Sequence, residues 1–131
     1  DGLAELDLTE NYGIGNGGVR ELTGGSNDLR ALTTFRLAHC GVAEVGMTAL
    51  ARCEHLSGLR LLDLSRNRFI PAAVRSLAGS PHLAGLRSLN LSDCRLGDAA
   101  VRHLTKATFW PNLVELDLRG NHFSEVGAGH L

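Results

Sequence analysis

Five leucines decide most of what this chain can fold into. They open five look-alike stretches: LAELDLTENYGI from Leu3, LTTFRLAHCGV from Leu32, LRLLDLSRNRF from Leu59, LRSLNLSDCRL from Leu86 and LVELDLRGNHF from Leu113. The successive separations are 29, 27, 27 and 27 residues. A fixed period of this length implies stacked copies of one supersecondary unit, because a single copy cannot bury its own apolar side. The second half of each copy repeats as well. Val19 and Leu22, Met47 and Leu50, Val74 and Leu77, and Val101 and Leu104 are each spaced as on one face of a helix. A further apolar residue, Leu29, Leu56, Leu83 or Trp110, stands just before the next copy.

Each copy therefore reads as a short strand followed by a helix. Within residues 86–91, Leu89 and Leu91 fall on one side of the strand, and the polar residues between them on the other. Stacked strands lie about 4.8 Å apart. Stacked helices need roughly 10 Å. The stack must curve, with the sheet on the inner face. Pro71 stands where a first helical residue is expected, a position that tolerates its missing N–H. Glu44, Asp98 and Glu125 stand at the same place in other copies and suit the positive end of a helix.

The first halves match L-x-x-L-x-L-x-x-N/C-x-L, and the chain on that ground resembles the leucine-rich repeat proteins. The column Asn11, Cys40, Asn67, Cys94, Asn121 alternates Asn with Cys. With the 27–29-residue period, that column is similar to the ribonuclease-inhibitor-like class. The resemblance implies an α/β solenoid, a right-handed horseshoe with a curved parallel sheet on the concave face and helices on the convex face. It divides the chain into units at 1–31, 32–58, 59–85, 86–112 and 113–131, the last incomplete. Neither end carries a polar cap, so a piece of a longer array is expected, with end-to-end self-association as another way to cover uncapped ends.

Composition narrows the function. Thirteen basic and 14 acidic residues give a net charge of −1, with no basic excess for nucleic acid or an anionic membrane. No apolar run reaches the roughly 20 residues that span a bilayer. Three cysteines do not make a disulfide framework and read as reduced thiols of a cytoplasmic protein. Cys40 and Cys94 are two units, about 10 Å, apart, too far for a disulfide.

Signals that resemble chemistry have plainer readings. Gly13–Gly18 fits the G-x-G-x-x-G dinucleotide fingerprint, but the repeat alone accounts for a loop there. His39-Cys40 and Cys53-Glu54-His55 resemble zinc pairs, but register sets Cys40 in the inner ladder and Cys53 at the far end of a helix. Asn90-Leu91-Ser92 is a glycosylation sequon without a secretion signal. Ser65, Asp63 and His39 form the sort of polar triple that any repeat surface offers. No catalytic residue, metal or cofactor is expected, and the chain is not expected to be an enzyme.

What remains is a surface. Outward columns run along the sheet: Glu5, Thr34, Leu61, Ser88, Glu115, then Asp7, Arg36, Asp63, Asn90, Asp117, then Thr9, Ala38, Ser65, Ser92, Arg119. Glu10, His39, Arg66, Asp93 and Gly120 follow at the rim. The expected partner-binding residues are Arg36, Leu61, Asp63, Arg66, Asn90, Asp93, Asp117 and Arg119. Arg36 is expected to pair with Asp7 or Asp63, and Leu61 to act as an apolar anchor among charges. The function expected is binding of a protein partner on the concave face. The alternatives are regulation of a partner enzyme, as by a GTPase activator or a ribonuclease inhibitor, and a purely structural array.

Overall fold

A computed structural model describes residues 2–25 and 27–131. Strands and helices alternate along it: β1 (Glu5–Asp7), α1 (Gly15–Gly24), β2 (Thr34–Arg36), α2 (Glu44–Arg52), β3 (Leu61–Asp63), α3 (Pro71–Ala78), β4 (Ser88–Asn90), α4 (Asp98–Thr105), β5 (Glu115–Asp117) and α5 (Glu125–Ala128). The five strands form one sheet in sequence order, and every pairing is parallel. Parallel neighbours need a crossover, which each helix supplies. Each helix packs on the next in sequence, so strands make one layer and helices the other. This is the α/β horseshoe expected from the repeat.

Register follows the leucines without a slip. Leu6, Phe35, Leu62, Leu89 and Leu116 stand side by side across the sheet. Phe35, Leu62 and Leu89 are sealed between sheet and helices, with Leu37, Leu64 and Leu91 beside them. Met47, Leu50, Val74, Leu77, Val101 and Leu104 close the interior from the helix side. Burying each of these side chains contributes about 1.5–3 kcal/mol. The helix starts fall at Glu44, Pro71, Asp98 and Glu125 as the column predicts.

Two details differ from the pattern. The apolar residue before β3, β4 and β5 belongs to a separate 3-10 turn, Glu54–Leu56, Pro81–Leu83 or Trp110–Asn112. In the last of these, Trp110 is only half-buried, and Phe109 is the residue sealed in the core. The two preceding units carry His55 and His82 at the Phe109 position, both half-buried. A phenyl ring offered one residue early fills the cavity, and the bulkier indole stays at its edge.

The Asn/Cys column explains how the loops are held. Asn67, 2% exposed, accepts from the backbone N–H groups of Cys40 and Val42 in the unit before. Its Nδ2 donates to the carbonyls of Leu37 and Leu64 at 2.9 Å each. Asn121 repeats the arrangement one alternation later, bonding Cys94, Leu96, Leu91 and Leu118. A thiol is a weaker acceptor than an amide oxygen, and Cys40 and Cys94 hold the Leu8 and Leu64 carbonyls chiefly as donors. Loop polar groups that water cannot reach are thereby satisfied from the neighbouring unit.

Candidate functional site

The outward columns lie as the register requires: Thr34 beside Leu61 beside Ser88, and Arg36 beside Asp63 beside Asn90. They divide into groups with different work. In the second column, the side chains of Asp7, Asp63, Asn90 and Asp117 each accept from the backbone N–H two residues on. These bonds turn the chain out of the strand in an Asx motif. Asp63 and Asn90 also hold the hydroxyls of Ser65 and Ser92. Asp117 takes a forked contact from the Arg119 guanidinium, 2.7 Å at its shortest. That bond holds the Asp117 carboxyl below its ordinary range and raises Arg119. Thr9 does the same for Asp7.

Arg36 departs from the expected pairing. Among the described residues it forms no ion pair with Asp7 or Asp63. Asp63 Oδ1 is already engaged by the N–H and the hydroxyl of Ser65, in its own loop rather than across the sheet. Arg36 is half-buried, with its charge unmatched by direct contact. Leu61 is half-buried too, so it presents part of an apolar side chain, not all of it.

Six of the eight expected residues, Arg36, Leu61, Asp63, Asn90, Asp117 and Arg119, line one open groove of about 560 Å³ on the strand face. The outward strand columns are acidic on balance, with Glu5, Asp7, Asp63, Glu115 and Asp117 against Arg36 and Arg119. The other two, Arg66 and Asp93, line a different groove, about 720 Å³, at the rim where the strands end. The structure thus splits the expected surface in two.

The rim has its own geometry. Glu10, His39, Arg66, Asp93 and Gly120 all adopt left-handed backbone, with φ of 70°, 52°, 56°, 52° and 71°. Only the last is glycine, for which that conformation carries no steric cost. Glu10 sits at the centre of a small network. It accepts from His39 Nδ1 at 2.8 Å and forms an ion pair with Arg66, two units away. The His39 bond, and then Arg66, lower the Glu10 carboxyl from its ordinary value. The Tyr12 ring is exposed and lies 5.3 Å from the His39 ring, tilted by 52°. Arg68 and Arg95, 27 residues apart, project beside it and are both exposed. The sequence reading passed over Tyr12, Arg68 and Arg95. Their common offset of one residue past the Asn/Cys column was the available signal.

The remaining motifs are absorbed by the fold. Within the glycine-rich stretch, Asn16 on α1 accepts from the N–H groups of Ala43 and Gly46 at the start of α2, so it caps a neighbouring helix. Cys40 and Cys53 bond carbonyls in separate networks, those of Leu8 and Thr23. Burial raises all three thiols, Cys94 to about 12. Ser65 is tied to Asp63 and His39 to Glu10, so these three do not form a nucleophile and its base. Among the described residues, no buried side-chain polar atom lacks a partner, no cluster has the makings of a metal site, and no helix is long and apolar enough to cross a membrane.

Comparison with known proteins agrees with this architecture. The family model described as Leucine Rich repeat matches residues 84–104 and 111–130. No curated protein matches the chain in sequence. Among solved structures, the tropomodulin C-terminal domain from Caenorhabditis elegans superposes with a TM-score of 0.73 at 16% identity, covering 98% of this chain and 79% of that one. Leiomodin-1 actin-binding site 2 superposes with a TM-score of 0.69 at 19% identity, covering 97% of this chain and 73% of that one. At such identities the likeness is one of fold.

Proposed function

We propose that this array of leucine-rich repeats is a protein-interaction module that engages its partner on the concave strand face and catalyses nothing itself. The observation that carries the reading is the groove lined by Arg36, Leu61, Asp63, Asn90, Asp117 and Arg119. It sets an unmatched guanidinium and a partly bared leucine among carboxylates. That mixture serves recognition: charge complementarity supplies specificity and steering, and the apolar contact supplies affinity. The acidic balance of the outward strand columns favours a partner segment with basic residues. The leiomodin-1 neighbour, named for an actin-binding site, is a second protein of this fold that offers it to a protein partner. Three free, buried cysteines suit the reducing cytoplasm.

The test is affinity capture of partners with the chain and with a triple variant, Arg36→Glu, Asp63→Lys and Asp117→Lys. A second variant reverses Arg20 and Arg52 on the helix side. Partners should be lost with the first variant and kept with the second. Capture that is the same for all three chains would remove the concave face from consideration. Adding the chain to a captured enzyme and following its rate tests the narrower reading, regulation of a partner's activity.

A further inference from the structure

The rim groove raises a question that the strand face does not answer. Residues directly after the two column cysteines, Gly41 and Arg95, both adopt left-handed backbone, with φ of 70° and 59°. Gly41 meets the demand at no steric cost. Arg95 meets it with a long side chain, at a cost of roughly 1–2 kcal/mol. Arg95 also has no ion pair among the described residues, and neither does Arg68 in the neighbouring unit. Two like charges one repeat apart, with neither in an ion pair, favour an anion that reaches both.

Their surroundings leave the balance positive. Glu10 is committed to Arg66 and His39. Asp93 leans toward the following unit, its carboxylate lying over Gly120 where a Cβ would collide with it. The groove of about 720 Å³ thus holds three arginines, Arg66, Arg68 and Arg95, against one carboxylate, that of Asp93, with the Tyr12 and His39 rings beside them.

We propose that Arg68 and Arg95 form a second docking site, separate from the strand face, for a short acidic segment of a protein partner. Each planar guanidinium can take one carboxylate through two parallel hydrogen bonds. Carboxylates on alternate residues of an extended segment are about 6.6 Å apart, close enough to the repeat spacing for one segment to reach both. The exposed Tyr12 ring offers a flat apolar end to the same segment. A nucleic acid fits less well, because the adjoining strand face carries five carboxylates that would repel a continuous phosphate chain. The inference rests on the chain's being a protein-binding module but not on the strand face being used.

The experiment is fluorescence anisotropy with three labelled probes of equal length: an alternating Glu-Gly peptide, an alternating Lys-Gly peptide and an oligothymidine. The Glu-Gly peptide should bind at low salt and weaken as ionic strength rises. Arg68→Glu with Arg95→Glu should weaken it at least about tenfold. Arg95→Gly should weaken it by roughly threefold to tenfold while leaving the urea midpoint unchanged or higher, since glycine relieves the strained backbone. The strand-face triple variant should bind the Glu-Gly peptide as tightly as the parent or more tightly, whatever happens to its captured partners. The proposal is overturned by a Glu-Gly peptide that binds no better than the Lys-Gly peptide or the oligothymidine. Binding that survives both arginine changes overturns it as well.

Discussion

Asn67→Ala gives the most direct test of how the units hold one another. Asn67 is 2% exposed, so water cannot take over its bonds. Alanine orphans the N–H groups of Cys40 and Val42 and the carbonyl of Leu37, three buried groups. The carbonyl of Leu64 is spared because the Cys94 thiol also donates to it, at 3.2 Å. At about 1–1.5 kcal/mol for each orphaned group, the loss comes to about 3–4 kcal/mol. A domain of this size is stable by about 5–15 kcal/mol, so the variant should still fold. Asn67→Cys should lose about 1 kcal/mol less, since a thiol there can bond the Leu37 carbonyl as Cys40 bonds that of Leu8. Asn121→Ala removes the same set of bonds from a half-exposed site, where water can substitute, and should lose about half as much. Urea titrations followed by far-ultraviolet circular dichroism, with m held common, measure all three. A loss below about 1 kcal/mol for Asn67→Ala, or equal losses at Asn67 and Asn121, would refute the reasoning.

Gly41→Ala should destabilise by about 2 kcal/mol or more, because φ is +70° and the added Cβ would lie 2.7 Å from the Tyr12 carbonyl oxygen. Gly120→Ala, at φ +71°, meets the movable Asp93 side chain instead of backbone. It should shift the urea midpoint less, and equal shifts would contradict this account. The Asp98 carboxyl is held below its ordinary value of 3.8, first by the Ser124 hydroxyl and then by the Ser124 N–H. A depressed carboxylate stabilises fully above its unfolded value, and the benefit is lost as pH falls below about 4. The melting temperature of Asp98→Asn should therefore fall less between pH 7 and pH 3 than that of the parent chain, and parallel curves would count against the bond. All three thiols are buried, and burial raises Cys94 to about 12. A disulfide reagent at about pH 8 should label the native chain slowly and the urea-unfolded chain at all three cysteines, whereas one fast native site would place that thiol at the surface.

The rim shows where sequence reading ran out. Arg66 and Asp93 read as part of the strand-face surface, but left-handed backbone at each turns them away from the sheet to a separate groove. Nothing in an arginine announces a positive φ and an aspartate signals it only weakly, so Gly120 is the one residue in that column with the usual mark. Arg36 was assigned a partner from column position alone. Asp63 had a nearer donor in the loop that follows it, the Ser65 hydroxyl at 2.7 Å. Trp110, in the column of Leu56 and Leu83, packs against the core from its edge, while Phe109 one residue earlier is fully enclosed.

Leucine periodicity by itself determined the strand order, the register, the helix faces and the three outward columns. Each of those depends only on side chains recurring at the pitch of one coil, which is a one-dimensional property. Tertiary structure alone decided which polar groups remain free. A polar side chain is claimed by whichever donor or acceptor lies within about 3 Å, and those neighbours come from adjoining units as well as from its own. The grooves, their net charge and the unpaired arginines are what remains after those claims are met, and no reading along a single line of residues could settle them.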